Sequence, residues 1–270
     1  MPELAEVAWY AKQWDAGRRK PVLRVELHAK TRVFRGCDTQ ALEEGMVGSK
    51  LVRAHTHGKQ MLFEFNKGQW LLIHLGMTGD LAARPQPHEA DRHDHLVLHT
   101  RAHALVFRDP RQFGAVQHYQ GKSAPPGWLK LPPQPIDAGF TPARVSEALQ
   151  RHARIPLKAL LLDQRWFPGI GNWMADETLW QAKLPPHILS GRLDEKQVRT
   201  VHRITRKVCE GALRTIGEDW SDPPLSWLFR YRWEDGHCCP RCEAELIRET
   251  VRGRTACWCP VCQRDEKSPS

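Results

Sequence analysis

Apolar positions change period along the chain. In ELAEVAWYAKQWDA (3–16), Leu4, Val7, Ala8, Ala11 and Trp14 recur every three or four residues. This predicts a short amphipathic helix, ended by Gly17. Over 22–120 the period falls towards two. VLRVELHAK, QMLFEF, QWLLIHLGM, HLVLHT and HALVFRD are short β-rich runs separated by Gly, Pro, Asn and Asp. They predict antiparallel strands in a sandwich or barrel. Residues 123–138 are proline-rich and read as a linker. From 141 onward ARVSEALQRH, PLKALLLDQ, NWMADETLWQAK and DEKQVRTVHRITRKVCEGAL read as helices. In the last, Val198, Val201, Ile204 and Val208 form one stripe. The expected fold is α+β with two domains. Residues 1–122 form an antiparallel β-sandwich with an N-terminal helix. Residues 139–232 form a helical domain, 233–264 a cysteine-rich finger and 265–270 a loose tail.

Composition narrows the function. The 270 residues are 41% hydrophobic and 26% charged, as in an ordinary globular protein. No run approaches the ~18 apolar residues of a membrane span. MPELAEV has no basic-then-apolar pattern, so no secretory signal is expected. Net charge is +9, with a pI near 9.3. That balance suits a polyanion such as nucleic acid, although surface solubility alone also accounts for it.

Six of the eight cysteines fall at the C-terminal end. Cys239 and Cys242, then Cys259 and Cys262, form two C-x2-C knuckles around sixteen residues. That spacing fits one structural Zn2+ with four thiolates and no open position. Free or redox thiols are the competing reading. The intervening ELIRETVRGRTACW has Gly253 near its middle and should be a β-hairpin with basic residues at its tip. Cys37, Cys209, Cys238 and Cys257 read as bystanders.

Two further features carry chemistry. FPGIGNW (167–173) lies between two predicted helices, with Asn172 at the expected N-cap. Free N–H groups there could hold a DNA phosphate, or the turn could simply reverse the chain. At the start, removal of Met1 would expose Pro2 as a secondary amine. An α-amino group titrates near 7.7–8.0 and is partly neutral at pH 7, hence nucleophilic. Glu3 could serve as a general acid, and Glu6 could face the same pocket one turn on. The plainer reading is a proline that begins a helix, with acids favouring its dipole.

Together these features resemble the formamidopyrimidine-DNA glycosylase / endonuclease VIII family, in order and over nearly the whole chain. MPELAEV is similar to the family's catalytic terminus, with Ala5 where Pro is usual. Gly58-Lys59 matches a lysine on a β-turn, and His74 through Gly79 a sandwich loop. Arg92 through His95 match a further loop. Asp109-Pro110-Arg111-Gln112-Phe113-Gly114 matches the loop that probes the DNA stack, with Gln112 where a second arginine is frequent. Leu162-Asp163-Gln164 through Asn172 matches the helix–two-turns–helix motif. The finger has the family spacing, with Arg254 five residues before Cys259.

The resemblance implies a bifunctional glycosylase and abasic-site lyase acting on damaged duplex DNA. The Pro2 nitrogen would attack C1′ of a flipped nucleotide, Glu3 would protonate the sugar ring oxygen, and β,δ-elimination would follow. Lys59 and Arg254 would take proton or phosphate roles, phosphate clamping first, joined by His74 and Asn172. Glu177 would help orient the amine. Met77, Arg111 and Phe113 would fill the void left by the flipped base, unless Met77 and Phe113 belong to the sandwich core. His93, with Arg92 and His95, is either a phosphate contact or a solvated edge, and so are Arg154 and Lys158. Formamidopyrimidines, with 8-oxoguanine beside them, are the expected lesions. The short Trp- and Pro-containing stretch over 213–230 is similar to the endonuclease VIII branch, which takes oxidised pyrimidines. A catalytically silent damage-binding protein on the same scaffold and an unrelated zinc-ribbon binder compete with the enzyme reading. No catalytic metal or organic cofactor, no membrane, a monomer and a cytoplasmic location, nucleoid-associated in a bacterium, are expected.

Overall fold

The computed structural model describes residues 1–264; the tail expected over 265–270 lies outside the described residues. Spatial clustering divides the chain into two units. One comprises Met1–Pro2 with Glu6–Leu131, the other Glu3–Ala5 with residues from Pro132 onward.

In the first unit, α1 (Leu4–Lys12) continues into a 3-10 turn, Gln13–Gly17, and is followed by β1 (Arg24–Leu27) and α2 (Thr39–Met46). Seven strands follow: β2 (Leu51–His57), β3 (Gln60–Phe65), β4 (Gln69–His74), β5 (Asp80–Pro85), β6 (Asp94–His99), β7 (His103–Arg108) and β8 (Ala115–Gln120). They form two antiparallel four-stranded sheets, ordered β1-β6-β7-β5 and β2-β3-β4-β8. Leu96, Leu98, Leu105 and Phe107 of one sheet share a core with Met61, Phe63, Leu71 and Ile73 of the other. Val7, Ala11 and Trp14 close that core from the N-terminal helix. The Trp14 ring lies 4.6 Å from that of Phe63, and its indole N–H donates to the Val106 carbonyl at 3.2 Å.

The central strands β3, β4, β6 and β7 coincide with the apolar runs of the sequence. The runs do not indicate β2, β5 or β8, and all three are sheet edges. An edge strand has one paired neighbour and carries polar side chains, so LVRAHTH and AVQHYQ show no apolar run. The helix α2 also escapes the pattern. It buries only Leu42 and Met46 and starts on the Asp38 carboxylate, which accepts from Ala41 N at 3.0 Å.

A single turn, α3 (Pro126–Leu129), stands within the proline-rich stretch, before α4 (Pro142–Arg151). In the second unit α5 (Leu157–Leu161), α6 (Asn172–Ala182), α7 (Glu195–Arg214) and α8 (Ile216–Asp219) surround a core of Leu160, Phe167, Met174, Leu179 and Val208. Leu4 and Ala5 belong to that core. The predicted stripe Val198, Val201, Ile204 and Val208 is buried. Asp194 and Gln197 make a capping box at the start of α7, at 2.8 and 3.0 Å. The hairpin is β9 (Ile247–Val251) with β10 (Arg254–Trp258). Arg252 (φ 48°) and Gly253 (φ 76°) make its two-residue turn, with the left-handed backbone such turns require. No helix among the described residues is long and apolar enough to cross a membrane.

Trp14 is fully buried in the sandwich. Trp14→Ala is therefore expected to lower stability by about 3–5 kcal/mol, measured by urea unfolding.

Candidate functional site

The start of α6 is the best-defined polar site in the second unit. Pro168 and Gly169 bring the chain round, with Gly169 at φ 88° and its carbonyl accepting from Leu4 N at 3.0 Å. The helix begins on Gly171, a residue with no side chain to cap it. The cap comes from elsewhere. The Glu3 carboxylate accepts from Gly171 N at 2.9 Å, Trp173 N at 3.0 Å and Met174 N at 3.1 Å. A Cβ on Gly171 would run into that carboxylate. These orphan N–H groups and the helix dipole make an anion site, and the anion is Glu3 itself.

This corrects two expectations. Three of the N–H groups expected to meet a phosphate are already taken. Asn172 is the first helical residue rather than the N-cap, because the capping oxygen arrives from the far end of the chain. Its Oδ1 is buried with no hydrogen-bond partner among the described residues.

Lys158 requires a third correction. Neither solvated nor at the surface, it is wholly buried. It donates to the carbonyls of Asn172 at 3.2 Å and Thr255 at 3.1 Å, and to the Asp176 carboxylate. Burial pushes its ammonium below the usual lysine range, and Asp176 opposes that shift. The second Asp176 oxygen accepts from Arg232 Nη2 at 2.6 Å and Nε at 3.2 Å, and from Cys257 N at 3.2 Å. Helical pattern cannot separate a buried lysine from a solvated one. For Asp176 the available signal is a pair of adjacent acids inside the apolar run NWMADETLW.

Glu177 is also buried, three residues beyond the last of the N–H groups that hold Glu3. Its carboxylate accepts from Phe229 N at 3.0 Å and Gln181 Nε2 at 2.8 Å. It thereby anchors the end of the short 213–230 stretch. Arg154 is exposed ahead of α5, and Arg254 is exposed beside the hairpin turn.

Cys239, Cys242, Cys259 and Cys262 place their sulfurs within 4.8 Å of one another. Measured pairs are 3.4, 3.5 and 3.9 Å. A tetrahedron with ~2.3 Å metal–sulfur bonds has sulfurs about 3.8 Å apart, so the cluster could hold one metal ion. Trp180 Nε1 donates to Cys239 Sγ at 3.3 Å, and Gln263 joins Cys259 N to the Leu184 carbonyl, both at 2.8 Å. The knuckles are thus seated on α6 and the loop after it.

The first unit carries its own cluster. Lys59 occupies the β2–β3 turn and is buried, and His74 ends β4. His74 Nδ1 accepts from Gly76 N at 3.0 Å. Burial, then the charges of Lys59 and Arg35, hold the His74 imidazole below its ordinary pKa. With Nδ1 accepting, the neutral ring carries its proton on Nε2 and is a donor there.

Met77 and Phe113 are exposed by 42% and 41%, which removes them from the sandwich core. The Arg111 guanidinium lies 4.7 Å from the Phe113 ring centroid. Asp109, for which the sequence pattern holds no signal of its own, organises this loop. Fully buried, it accepts from Thr78 Oγ1 and Gly114 N, both at 2.7 Å, and from Arg111 N at 3.3 Å. Gly76 (φ 64°) lets the 75–79 loop approach the backbone of Phe113 and Gly114, where a Cβ would collide. The His93 carbonyl accepts from Asp109 N at 3.1 Å, and its ring accepts from exposed Arg92 at 3.0 Å. His95 is buried, bonded to the Asp109 carbonyl at 2.9 Å, and is no solvated edge. Glu6 belongs to this unit, within electrostatic reach of Tyr10.

Comparison with known proteins gives a consistent picture. The family model for the formamidopyrimidine-DNA glycosylase N-terminal domain matches residues 1–116, and that family's H2TH domain model matches 131–222. The formamidopyrimidine-DNA glycosylase of Thermus thermophilus is 34% identical over 276 residues, covering 97% of this chain and 98% of its own. That of Carboxydothermus hydrogenoformans is 30% identical, covering 98% and 100%. Among solved structures, wild-type Lactococcus lactis Fpg (MutM) with an oxidized-pyrimidine DNA aligns at a TM-score of 0.87 and 25% identity, covering 98% of this chain and 100% of that one. A point mutant of Lactococcus lactis Fpg with a Fapy-dG DNA aligns at 0.86 and 26%, with the same coverage.

Burial raises the Glu177 carboxyl to about 7, against an ordinary 4.5. Between about pH 5 and 7 the folded chain holds a proton that the unfolded chain has released. The stability from protonated Glu177 is therefore present in acid and declines as pH rises through that window. Glu177→Gln is expected to flatten the dependence by up to ~1.4 kcal/mol per pH unit, read from urea unfolding at pH 5, 6 and 7.

Proposed function

The chain belongs to the formamidopyrimidine-DNA glycosylase family, and we propose that it excises oxidised bases from duplex DNA through the Pro2 amine and then cuts the abasic strand. The observation that carries this reading is the capture of the Glu3 carboxylate by the start of α6. It tethers the residue next to Pro2, so that an amine freed by loss of Met1 is held in place rather than left on a mobile end.

The damaged nucleotide leaves the stack, because C1′ cannot be attacked inside the duplex. The Pro2 nitrogen bonds to C1′ and the base departs. The Glu3 carboxylate takes the proton that the Pro2 nitrogen sheds on bonding and delivers it to the ring oxygen as the sugar opens, leaving an iminium at C1′. That cation is an electron sink: loss of a C2′ proton expels the 3′ phosphate, and a second elimination expels the 5′ phosphate. Lys59 and Arg254 clamp phosphates, His74 contributes its neutral Nε2–H, and Asn172 contributes its amide N–H donors. Arg111, Phe113 and Met77 fill the vacated stack; their exposure and the Arg111–Phe113 pairing support this. Arg154 and His93 are outer phosphate contacts, and Glu6 lines the approach to Pro2.

Formamidopyrimidines are the primary lesion class. Oxidised pyrimidines are the second reading, favoured by the short 213–230 stretch and by the Lactococcus lactis complex with such a lesion. The four thiolates suit Zn2+, a soft-tolerant ion without geometric preference, and fill its shell, so its role is to hold the finger. The protein acts as a monomer where DNA lies, in the cytoplasm and at the nucleoid of a bacterium.

Borohydride is expected to trap a covalent complex with abasic duplex DNA. Pro2→Gly should weaken trapping and a retained Met1 should abolish it; trapping through a blocked terminus would overturn the amine assignment. Cys242→Ser or Cys259→Ser should lose zinc, measured by elemental analysis, and bind DNA more weakly. Normal binding without zinc would remove the finger from the DNA surface.

A further inference from the structure

Arg254 stands five residues before Cys259. At about 3.3 Å per strand residue, the nearest metal ligand after β10 is roughly 16 Å away along the chain. A metal in the knuckles therefore anchors one end of the hairpin and leaves the position of its tip to other forces.

Those forces are visible in β10. The Thr255 carbonyl takes a hydrogen bond from Lys158 at 3.1 Å, and Cys257 N donates to Asp176 at 3.2 Å. Arg232 completes the set through the same Asp176 oxygen. Lys158, Asp176 and Arg232 are 0%, 1% and 4% exposed. Taking three charges out of water costs several kcal/mol per ion, and well-packed apolar side chains would join a hairpin to a helix at lower cost. What apolar side chains cannot do is select particular backbone atoms. Lys158 selects two: the carbonyl of Thr255, directly after Arg254, and that of Asn172, at 3.2 Å. Asn172 opens the helix whose N–H groups hold Glu3.

We propose that Lys158, Asp176 and Arg232 are positioning residues that set Arg254 at a fixed place relative to the Glu3 carboxylate. One buried ammonium ties the first residue of α6 to the residue after Arg254. The proposal rests on the reading of Arg254 as a phosphate clamp.

The test compares wild type, Lys158→Met, Arg254→Ala and the double variant, each as the full chain. Binding to a duplex with a tetrahydrofuran abasic analogue is measured over a KCl series, with metal content measured in parallel. Lys158→Met leaves Asp176 paired with Arg232. Arg254→Ala should weaken binding about tenfold and reduce the slope of log K against log salt by about 0.9, one phosphate's worth. Lys158→Met should do the same with metal content unchanged, and adding Arg254→Ala to it should cost less than about twofold more. A merely structural lysine would not move the salt slope by that increment or silence the second substitution. Multiplicative losses, or wild-type binding by Lys158→Met, would overturn the positioning role. Should Lys158→Met fail to fold or lose metal, Lys158→Met/Asp176→Leu/Arg232→Met removes all three charges and undergoes the same comparison. If Arg254→Ala changes nothing in the wild-type background, the clamp reading fails instead.

Discussion

A carboxylate seated on the start of a helix is the constraint from which the rest follows. Glu3 meets three backbone N–H groups that α6 cannot satisfy internally. Each hydrogen bond to a charged group contributes about 1.5–3 kcal/mol, and the helix dipole adds in the same direction. Gly171 has to lack a side chain for the carboxylate to approach. The adjacent Leu4 N–H is held by the Gly169 carbonyl, so both residues after Pro2 are fixed through their polar atoms. A chain terminus is ordinarily mobile, and the nucleophile proposed at Pro2 would otherwise meet an entropic penalty at every turnover. Here the folded domain has already met that penalty.

The remaining charges divide by depth. Lys158, Asp176, Glu177 and Arg232 are buried and bind backbone atoms of the helices, the hairpin and the 228–229 segment, or one another. Arg254, Arg154, Arg111 and Arg92 are exposed and keep their charge available to solvent. A strongly basic chain gains its attraction for a polyanion from the second group and its geometry from the first. Asp109 plays the geometric role in the sandwich. One buried carboxylate gathers Thr78, Arg111 and Gly114, holding two loops against each other while Met77 and Phe113 stay exposed to solvent.

What the chain reveals by itself is local. Period-two runs mark the central strands, and the Val198–Val208 stripe marks α7. The cysteine spacing marks a four-sulfur cluster, and Gly253 marks the hairpin turn. Each depends on neighbours within a few residues or on a spacing rule, so the amino-acid order suffices. The edge strands β2, β5 and β8 escape because LVRAHTH, DLAARP and AVQHYQ hold no apolar run, whereas β1, the fourth edge, is marked by VLRVEL.

The pairing of distant groups is decided only in three dimensions. The cap of α6 comes from a residue 168 positions before Gly171, and Lys158 meets a carbonyl 97 positions further on. Periodicity reports how a segment buries its own faces. It does not report which charge will meet which backbone group when desolvation makes every unpaired polar atom costly. For that reason Lys158 has the sequence context of a surface lysine and Asn172 that of an ordinary cap. Glu3 has the context of an acid near its own helix start, when it is the anion that a different helix start is built to hold.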